Sequence, residues 1–530
     1  MDRASEEKGY EKLSPFELKN KLISMAKDNR EVSMLNAGRG NPNWISIAPR
    51  AAFFQFGMFA LEESMRTSKK EGLGGSAQTE GLLERFKSFL SKQGNIPGID
   101  FLNQVLEYIH KSTHTDTTAF LVEMVDGILG DHYPMPDRML TISEQIVRKY
   151  LELEMLGGNA SVGKFELFAT EGGTAAMDYV FNSLFENKIL KKGDKIALGT
   201  PIFTPYIEIP RLNDYELVEV LIEQDEESGW QYPDSEIEKL EDPAIKAFFL
   251  VNPSNPTSVS MRKQTLDKIT NLVKTKRKDL IVLTDDVYGT FVEGFRSLAA
   301  AAPHNTILVY SFSKYFGTTG CRLGVIGIHE DNIFDEHISK LSDANKKILN
   351  KRYSTVTIDP SKMKFIDRIV ADSRAVALNH TAGLSTLQQV LMVMLSLQGL
   401  MDTDSKYKNT VRGVVAHRFK TLYEAMDLPC PDNAYGAHYY TTIDIPRLAQ
   451  KKYSREFAEH LLKSYEPIDF VWRLANEKSI VLMDGGGFDA PEMSVRVSLA
   501  NLPDEAYSAI GKGIVSLLED YHNKWQSLNK

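Results

Sequence analysis

Cysteine is nearly absent. Two in 530 residues, Cys321 and Cys430, cannot build a disulfide framework or a cysteine-rich zinc site, which suits a reducing compartment. The eleven histidines show no H-E-x-x-H or comparable ligand spacing, so a metal hydrolase lacks its donors and no metal is expected. There is no basic stripe and no long block of one sign, and the formal charge of -9 is modest for this length. That excludes an electrostatic footprint for nucleic acid. Long hydrophobic runs are also missing: the longest, 384–401, is interrupted by Gln388, Gln389 and Gln398 and reads as a packed helix, not a membrane span. The first twenty residues are charged and carry no apolar core of an export signal. A cytoplasmic protein with a small-molecule partner, no nucleic acid and no membrane is the expectation.

What is present describes a large globular chain. A hydrophobic fraction of 42% with 25% charge is ordinary, and the length suits two or three domains. From about 164 to 328, short apolar runs at 165–169, 196–198, 247–251, 280–283, 306–310 and 323–328 alternate with helical patterns. Met177, Val180, Phe181, Leu184 and Phe185 recur at helical spacing, as do Leu266, Ile269, Leu272 and Val273. This alternation predicts an α/β core with a mainly parallel sheet covered by crossover helices. After about 395 the pattern shifts to long helices around strands near 439–443 and 494–499, predicting a smaller α+β domain. The expected division is an N-terminal arm and part of the small domain over 1–50, a large domain over 51–395, and the C-terminal small domain over 396–530. A helical, largely polar insertion is expected near 64–129. The Gly-rich stretch 72–81 follows no strand and reads as a surface loop.

The chemistry-bearing residues stand at strand ends. Ser311-Phe312-Ser313-Lys314 follows the run 306–310, and Arg322 comes eight residues after the lysine. A lysine there faces the crevice where open α/β sheets bind ligands, although alone it would more often be a surface lysine. Asp285-Asp286-Val287-Tyr288 ends an earlier strand, and Asn252-Pro253-Ser254-Asn255-Pro256-Thr257 follows another. Thr170-Glu171-Gly172-Gly173-Thr174 joins a strand to a helix, where free amides and the helix dipole favour a phosphate. Phe203, past a further strand, is either a core side chain or a ring against a ligand's face. Arg496, inside the alternating 494–499, either points to solvent or grips a carboxylate with its planar fork.

In this order the strings resemble those of the class I aminotransferase superfamily: glycines near the phosphate, N-P-x-N-P-T, D-x-x-Y, S-x-S-K and a late R-x-S. The resemblance implies the aspartate aminotransferase fold (fold type I), with a mainly parallel seven-stranded sheet, and pyridoxal 5'-phosphate as cofactor. It also implies roles. Lys314 is the Schiff-base lysine, Gly172, Gly173, Thr174, Ser311 and Arg322 bind the phosphate, and Ser313 is a further cofactor-binding residue. Phe203 stacks on the ring, Asn255 and Tyr288 reach its O3', Asp285 faces its nitrogen and Arg496 takes the substrate α-carboxylate, with Asn255 also facing substrate. Ser258 departs from the usual glycine after N-P-T and is expected to alter a turn only. Tyr133-Pro134 is similar to a segment that crosses a dimer to the partner's phosphate, or else is an aromatic in a loop.

The insertion and the string Asn36-Ala37-Gly38-Arg39-Gly40-Asn41-Pro42-Asn43-Trp44 are similar to those of aspartate 4-decarboxylases (aspartate β-decarboxylases), and here the resemblance covers nearly the whole chain. It places Gly38 and Arg39 over the substrate, with Arg39 on the second carboxylate. It implies release of the β-carboxylate of L-aspartate as CO2 to leave L-alanine, side transamination with 2-oxo acids such as pyruvate, and a homo-oligomer built from dimers, a dodecamer being one candidate size. Two alternatives stay open: an aspartate or aromatic amino-acid aminotransferase, and a non-catalytic ligand-binding regulator of the same fold.

Overall fold

A computed structural model gives the architecture and describes residues 3–28, 34–68, 70–113, 115–158, 162–212, 214–221, 229–374 and 383–529. The chain opens with helices α1 (Arg3–Tyr10) and α2 (Pro15–Asp28) and the short strand β1 (Leu35–Asn36). Five helices follow: α3 (Ala48–Thr67), α4 (Leu82–Gln93), α5 (Ile99–Ser112), α6 (Thr117–Leu129) and α7 (Thr141–Glu154). The central sheet then comes from β2 (Phe165–Thr170), β3 (Lys195–Thr200), β4 (Glu216–Leu221), β5 (Ile245–Val251), β6 (Ile281–Asp285), β7 (Thr306–Ser311) and β8 (Gly324–His329). Helix α8 (Gly173–Glu186) follows β2 directly.

The seven strands lie in the order β2-β8-β7-β6-β5-β3-β4. Only β8 runs against its two neighbours, so the expected mainly parallel sheet is what forms. Strands covered on both faces read as nearly continuous apolar runs, as β5 (IKAFFLV) does. Met177, Val180, Phe181 and Leu184 of α8 are buried, as are Leu266, Ile269, Leu272 and Val273 of the helix Lys263–Thr275. The sequence pattern missed β4. Glu216 and Glu219 interrupt its apolar run, which an edge strand paired on one side tolerates.

The insertion is helical and largely polar in composition, yet its apolar minority builds a core. Phe86 and Phe89 of α4, Leu102 and Val105 of α5 and Met124 of α6 form a core with Phe56 and Phe59 of α3 and with the helix Thr386–Met401. Each short helix concentrates its apolar residues on one stripe, so the polar outer faces dominate the average composition. The stretch 72–81 is a loop with mostly exposed residues. No helix among the described residues is long and apolar enough to cross a membrane.

A second apolar core joins the two ends of the chain. Leu18 and Leu22 of α2 pack with Leu422, Leu474, Ile510 and Leu517. Strand β1 pairs in parallel with β10 (Ile480–Val481). A three-stranded antiparallel sheet of β11 (Met483–Asp484), β12 (Ser494–Ser498) and β9 (Tyr440–Asp444) lies beside it. Arg496 on β12 stands opposite Met483 and Thr442.

Candidate active site

Strands β3, β5, β6 and β7 are neighbours, and their C-terminal ends open into a cleft of about 480 Å³. Ligands bind at such strand ends because the following loops are free of the sheet's hydrogen-bond ladder. The opposite wall comes from α2, the loop after β1, and the strands β9 and β12.

Lys314 reaches across this cleft. Its Nζ donates to the Gly40 carbonyl at 2.9 Å, and the Tyr439 hydroxyl donates to the same oxygen at 2.9 Å. Deeper, the Asp285 carboxylate accepts from the Val287 amide at 3.2 Å and the Tyr206 hydroxyl at 3.3 Å. Burial pushes its carboxyl up to about 6, although those two donors and the Lys314 ammonium pull the other way. A buried carboxylate so placed suits a cationic ring nitrogen, whose charge would hold it ionised. Tyr288 donates to the Tyr440 hydroxyl at 3.2 Å, and burial raises the Tyr288 hydroxyl well above its usual range. It remains a neutral donor.

At one end the cleft is built for an anion. The turn before α8 places Gly172 at φ 98°, where a Cβ would lie 2.4 Å from an Arg322 guanidinium nitrogen, so only glycine lets the arginine close over the turn. Gly173 and Thr174 begin α8 and line the cleft, with first-turn amides that have no acceptor inside the helix. The Ser311 hydroxyl donates to Ser313 Oγ at 3.0 Å, and both serines line the same pocket. Together these groups can cradle a phosphate. Phe203 lines the cleft as well and meets Phe16 in a T-shaped contact with ring centroids 6.2 Å apart.

The other end is built for a carboxylate. Arg496 is buried, donating from Nη1 to Asn255 Oδ1 at 3.1 Å and from Nη2 to the Gly38 carbonyl at 3.1 Å. Its Nη2 also meets Met483 Sδ at 2.7 Å. The guanidinium lies 4.3 Å from the Tyr440 ring centroid and 4.9 Å from that of Phe488, an aromatic bracket that favours a cation. Among the described residues no carboxylate is a hydrogen-bond partner of Arg496, and none pairs with its buried Nε. Arg39 and Lys19 line the same end. Burial lowers the Lys19 ammonium, and the nearby Arg39 and Arg496 lower it further. Three cations at this end of the cleft call for an anionic ligand.

The structure therefore gathers Gly38, Arg39, Gly173, Thr174, Phe203, Asn255, Asp285, Tyr288, Ser311, Ser313, Lys314, Arg322 and Arg496 around one space. Gly172 stands behind Arg322 as the turn that admits it. Tyr133 is 64% exposed and is not among the residues lining this cleft. Phe16, Lys19, Tyr439 and Tyr440 were not singled out from the sequence, since nothing local distinguishes a lysine on an amphipathic helix or a tyrosine entering a strand. Ser258 does more than alter a turn. It holds φ 63°, a conformation that favours glycine, and its hydroxyl accepts from the amides of Tyr439 at 2.9 Å and Tyr440 at 3.2 Å.

The profile of aminotransferase class I and II matches residues 166–511. A bifunctional aspartate aminotransferase and L-aspartate beta-decarboxylase from Pseudomonas sp is 49% identical over 520 residues, covering 98% of each chain. An aspartate aminotransferase from Sulfurisphaera tokodaii is 29% identical over 37% of this chain and 46% of its own. Among solved structures, the aspartate aminotransferase of Thermus thermophilus with maleate superposes with a TM-score of 0.57 at 16% identity, covering 94% of this chain and 96% of that one. The aromatic aminotransferase of Pyrococcus horikoshii does so with a TM-score of 0.55 at 19% identity, over 94% and 99%. The two solved structures establish a shared fold, that of the aspartate aminotransferases. With the profile covering more than half of the chain and a relative aligned along nearly all of it, the chain belongs to the class I and II aminotransferase family and is an enzyme dependent on pyridoxal 5'-phosphate.

Proposed function

We propose that this enzyme removes the β-carboxylate of L-aspartate to give L-alanine and CO2, with transamination as a side activity. The observation that carries this reading is the convergence of Arg496, Arg39 and Lys19 on the space beside Lys314, since a dicarboxylate needs more positive charge than a monocarboxylate. The full-length likeness to a bifunctional aminotransferase and β-decarboxylase supports it.

Bound at this site, pyridoxal 5'-phosphate supplies an aldehyde that condenses with amines and a ring that accepts electrons released from the substrate. Gly172, Gly173, Thr174, Ser311, Ser313 and Arg322 would hold its phosphate, Phe203 would cover the ring, Asp285 would pair with the ring nitrogen, and Asn255 and Tyr288 would face O3'. Arg496, aided by Asn255, grips the substrate α-carboxylate; Arg39, carried by the loop that includes Gly38, holds the second one. Lys314 would hold the cofactor through its aldehyde carbon and, as a free amine, is the base that takes the Cα proton and later returns one. The Tyr439 hydroxyl shares the Gly40 carbonyl with the Lys314 amine, a contact that orients the lysine.

The same reading assigns residues 51–395 to a large domain, residues 1–50 to an N-terminal arm and part of the small domain, and residues 396–530 to the rest of the small domain, supported by the apolar core that Leu18 and Leu22 share with Leu474 and Ile510. It places the enzyme in the cytoplasm as a homo-oligomer of dimers, in which exposed Tyr133 reaches the partner's phosphate site. Small 2-oxo acids such as pyruvate are its second substrates.

A time course of CO2, alanine and oxaloacetate from L-aspartate, with and without pyruvate, tests this. Alanine and enzyme-dependent CO2 should appear in equal amounts, with activity that fades in the absence of pyruvate and is restored by it. Oxaloacetate accumulating with pyruvate, while CO2 stays at the level of spontaneous decay, would leave an ordinary aspartate aminotransferase in its place.

A further inference from the structure

Loss of CO2 leaves one chemical demand that the residues assigned above do not meet. When the bond between Cβ and the β-carboxylate carbon breaks, its electron pair remains on the substrate, and Cβ must take a proton to become the alanine methyl group. Of the groups that line the cleft, Arg39, Arg322 and Arg496 give up protons too reluctantly, Asp285 is set at the ring nitrogen, and Lys314 is committed to the Cα proton. Tyr288 is turned away, since its hydrogen is spent on the Tyr440 oxygen at 3.2 Å. Lys19 and Tyr440 remain.

We propose, resting on the decarboxylase reading, that the Tyr440 hydroxyl is the acid that protonates Cβ. Because Tyr288 donates to Tyr440, the Tyr440 oxygen has accepted one hydrogen bond and its own hydrogen is free to point into the cleft. Its place is tightly held. A Cβ on Gly40 would stand 2.7 Å from the Tyr440 hydroxyl and 3.4 Å from Lys314 Nζ, so the two groups border one small space above the lysine. The Arg496 guanidinium covers the Tyr440 ring face at 4.3 Å, which ties the hydroxyl to the group that grips the substrate. Ser258 fixes the Tyr440 amide through its hydroxyl, a contact that a glycine at the same left-handed position could not make. By contrast, Lys19 approaches from α2 at the Gly38 side, with its methylenes 3.2 Å from the Gly38 Cβ position and its charge beside Arg39 and Arg496, where it faces the leaving carboxylate.

The step balances. The O–H bond of Tyr440 breaks as the Cβ–H bond forms, the O–H electron pair stays on the phenolate oxygen, and the phenolate regains a proton from water at the cleft mouth. One proton is consumed per CO2 released. The positive Arg496 guanidinium against the ring stabilises the transient phenolate, and Tyr288 donates to it.

The test uses the holoenzyme and Tyr440→Phe, which keeps the ring under Arg496 and removes only the hydroxyl. Aspartate carrying deuterium at one of its two C3 positions is turned over in tritiated water, and the configuration of the chiral methyl group of alanine is read. The wild type should give one configuration. Tyr440→Phe should give a mixture, with steady-state alanine formation down roughly a hundredfold or more. Cofactor absorption without substrate and equilibrium binding of maleate should stay within about twofold of wild type. Ser258→Gly, which frees the Tyr440 amide, should blur the configuration in the same direction. A single retained configuration in Tyr440→Phe overturns the assignment, as does a mixed product in Lys19→Met with a pure one in Tyr440→Phe. Weakened maleate binding with intact configuration reduces Tyr440 to a platform for Arg496 and likewise overturns it. If wild-type enzyme yields oxaloacetate and no CO2, the decarboxylase reading itself has failed, and the proton acceptor with it.

Discussion

The two walls of the cleft are made in different ways. The cofactor wall is a row of strand ends, Thr170 to Gly173, Asp285 to Tyr288 and Ser311 to Lys314, all set by one sheet. The substrate wall is assembled from distant chain. Gly38 meets Arg496 across 458 residues and Gly40 meets Tyr439 across 399. The large sheet holds its strand ends in register through a long ladder of backbone bonds, whereas the arm meets the small domain through the two-residue pairing of β1 with β10 and scattered single contacts. The cofactor wall should therefore be robust in place and severe in chemistry, and the substrate wall graded.

Lys314→Ala attacks the first wall where the effect is largest. Activity should fall by about ten-thousandfold and the yellow lysine adduct should vanish, while the fold, read by circular dichroism, stays. Borohydride reduction that traps the cofactor on another lysine of the wild type would break the comparison.

Asp285→Asn probes the same wall by its cost to the fold. Burial pushes this carboxyl up to about 6, so between about pH 4 and 6 the folded, cofactor-free protein keeps a proton that the unfolded chain has lost. Stability then falls as pH rises through that window. The asparagine variant, free of that charge, should be more stable than wild type by about 3 kcal/mol at pH 8 and equal to it near pH 4, in denaturant titrations of cofactor-free protein. Its activity should nonetheless be crippled, because the ring nitrogen loses its counter-ion.

The substrate wall should split into general and selective losses. Arg496→Ala should weaken every amino-acid substrate by about 1.5 to 3 kcal/mol, roughly ten- to a hundredfold. Arg39→Ala should impair aspartate more than alanine, since alanine has no second carboxylate. Equal losses on both substrates would remove Arg39 from that role.

The mildest change sharpens the contrast most. Gly40→Ala places a methyl 2.7 Å from the Tyr440 hydroxyl, and relieving that clash should cost about 1 to 3 kcal/mol. Because the loop sits at the substrate wall, kcat/KM for aspartate should drop while cofactor affinity, measured by absorption, is unchanged.

Much of the cofactor wall was legible because each contact lies in a short string after an apolar run, and a strand end carries its string to the same edge. Asp285, Ser311 and Lys314 were found in this way. The edge strand β4 was not, since Glu216 and Glu219 hide its periodicity. The core of the insertion was not either, because Phe59, Phe86 and Met124 meet only when α3, α4 and α6 pack together.

The amino-acid sequence by itself determined the parallel α/β core and the order of the strings at its strand ends, because apolar runs and helical burial are set by nearby residues, and the role expected of Lys314 followed from the resemblance those strings carry together. Only the tertiary structure decided that Lys19 joins Arg39 and Arg496, that Tyr440 stands over Lys314, and that Ser258 anchors the pair Tyr439 and Tyr440. Those contacts depend on how the arm and the small domain pack against the large sheet, and no periodicity along the chain encodes a distance across it.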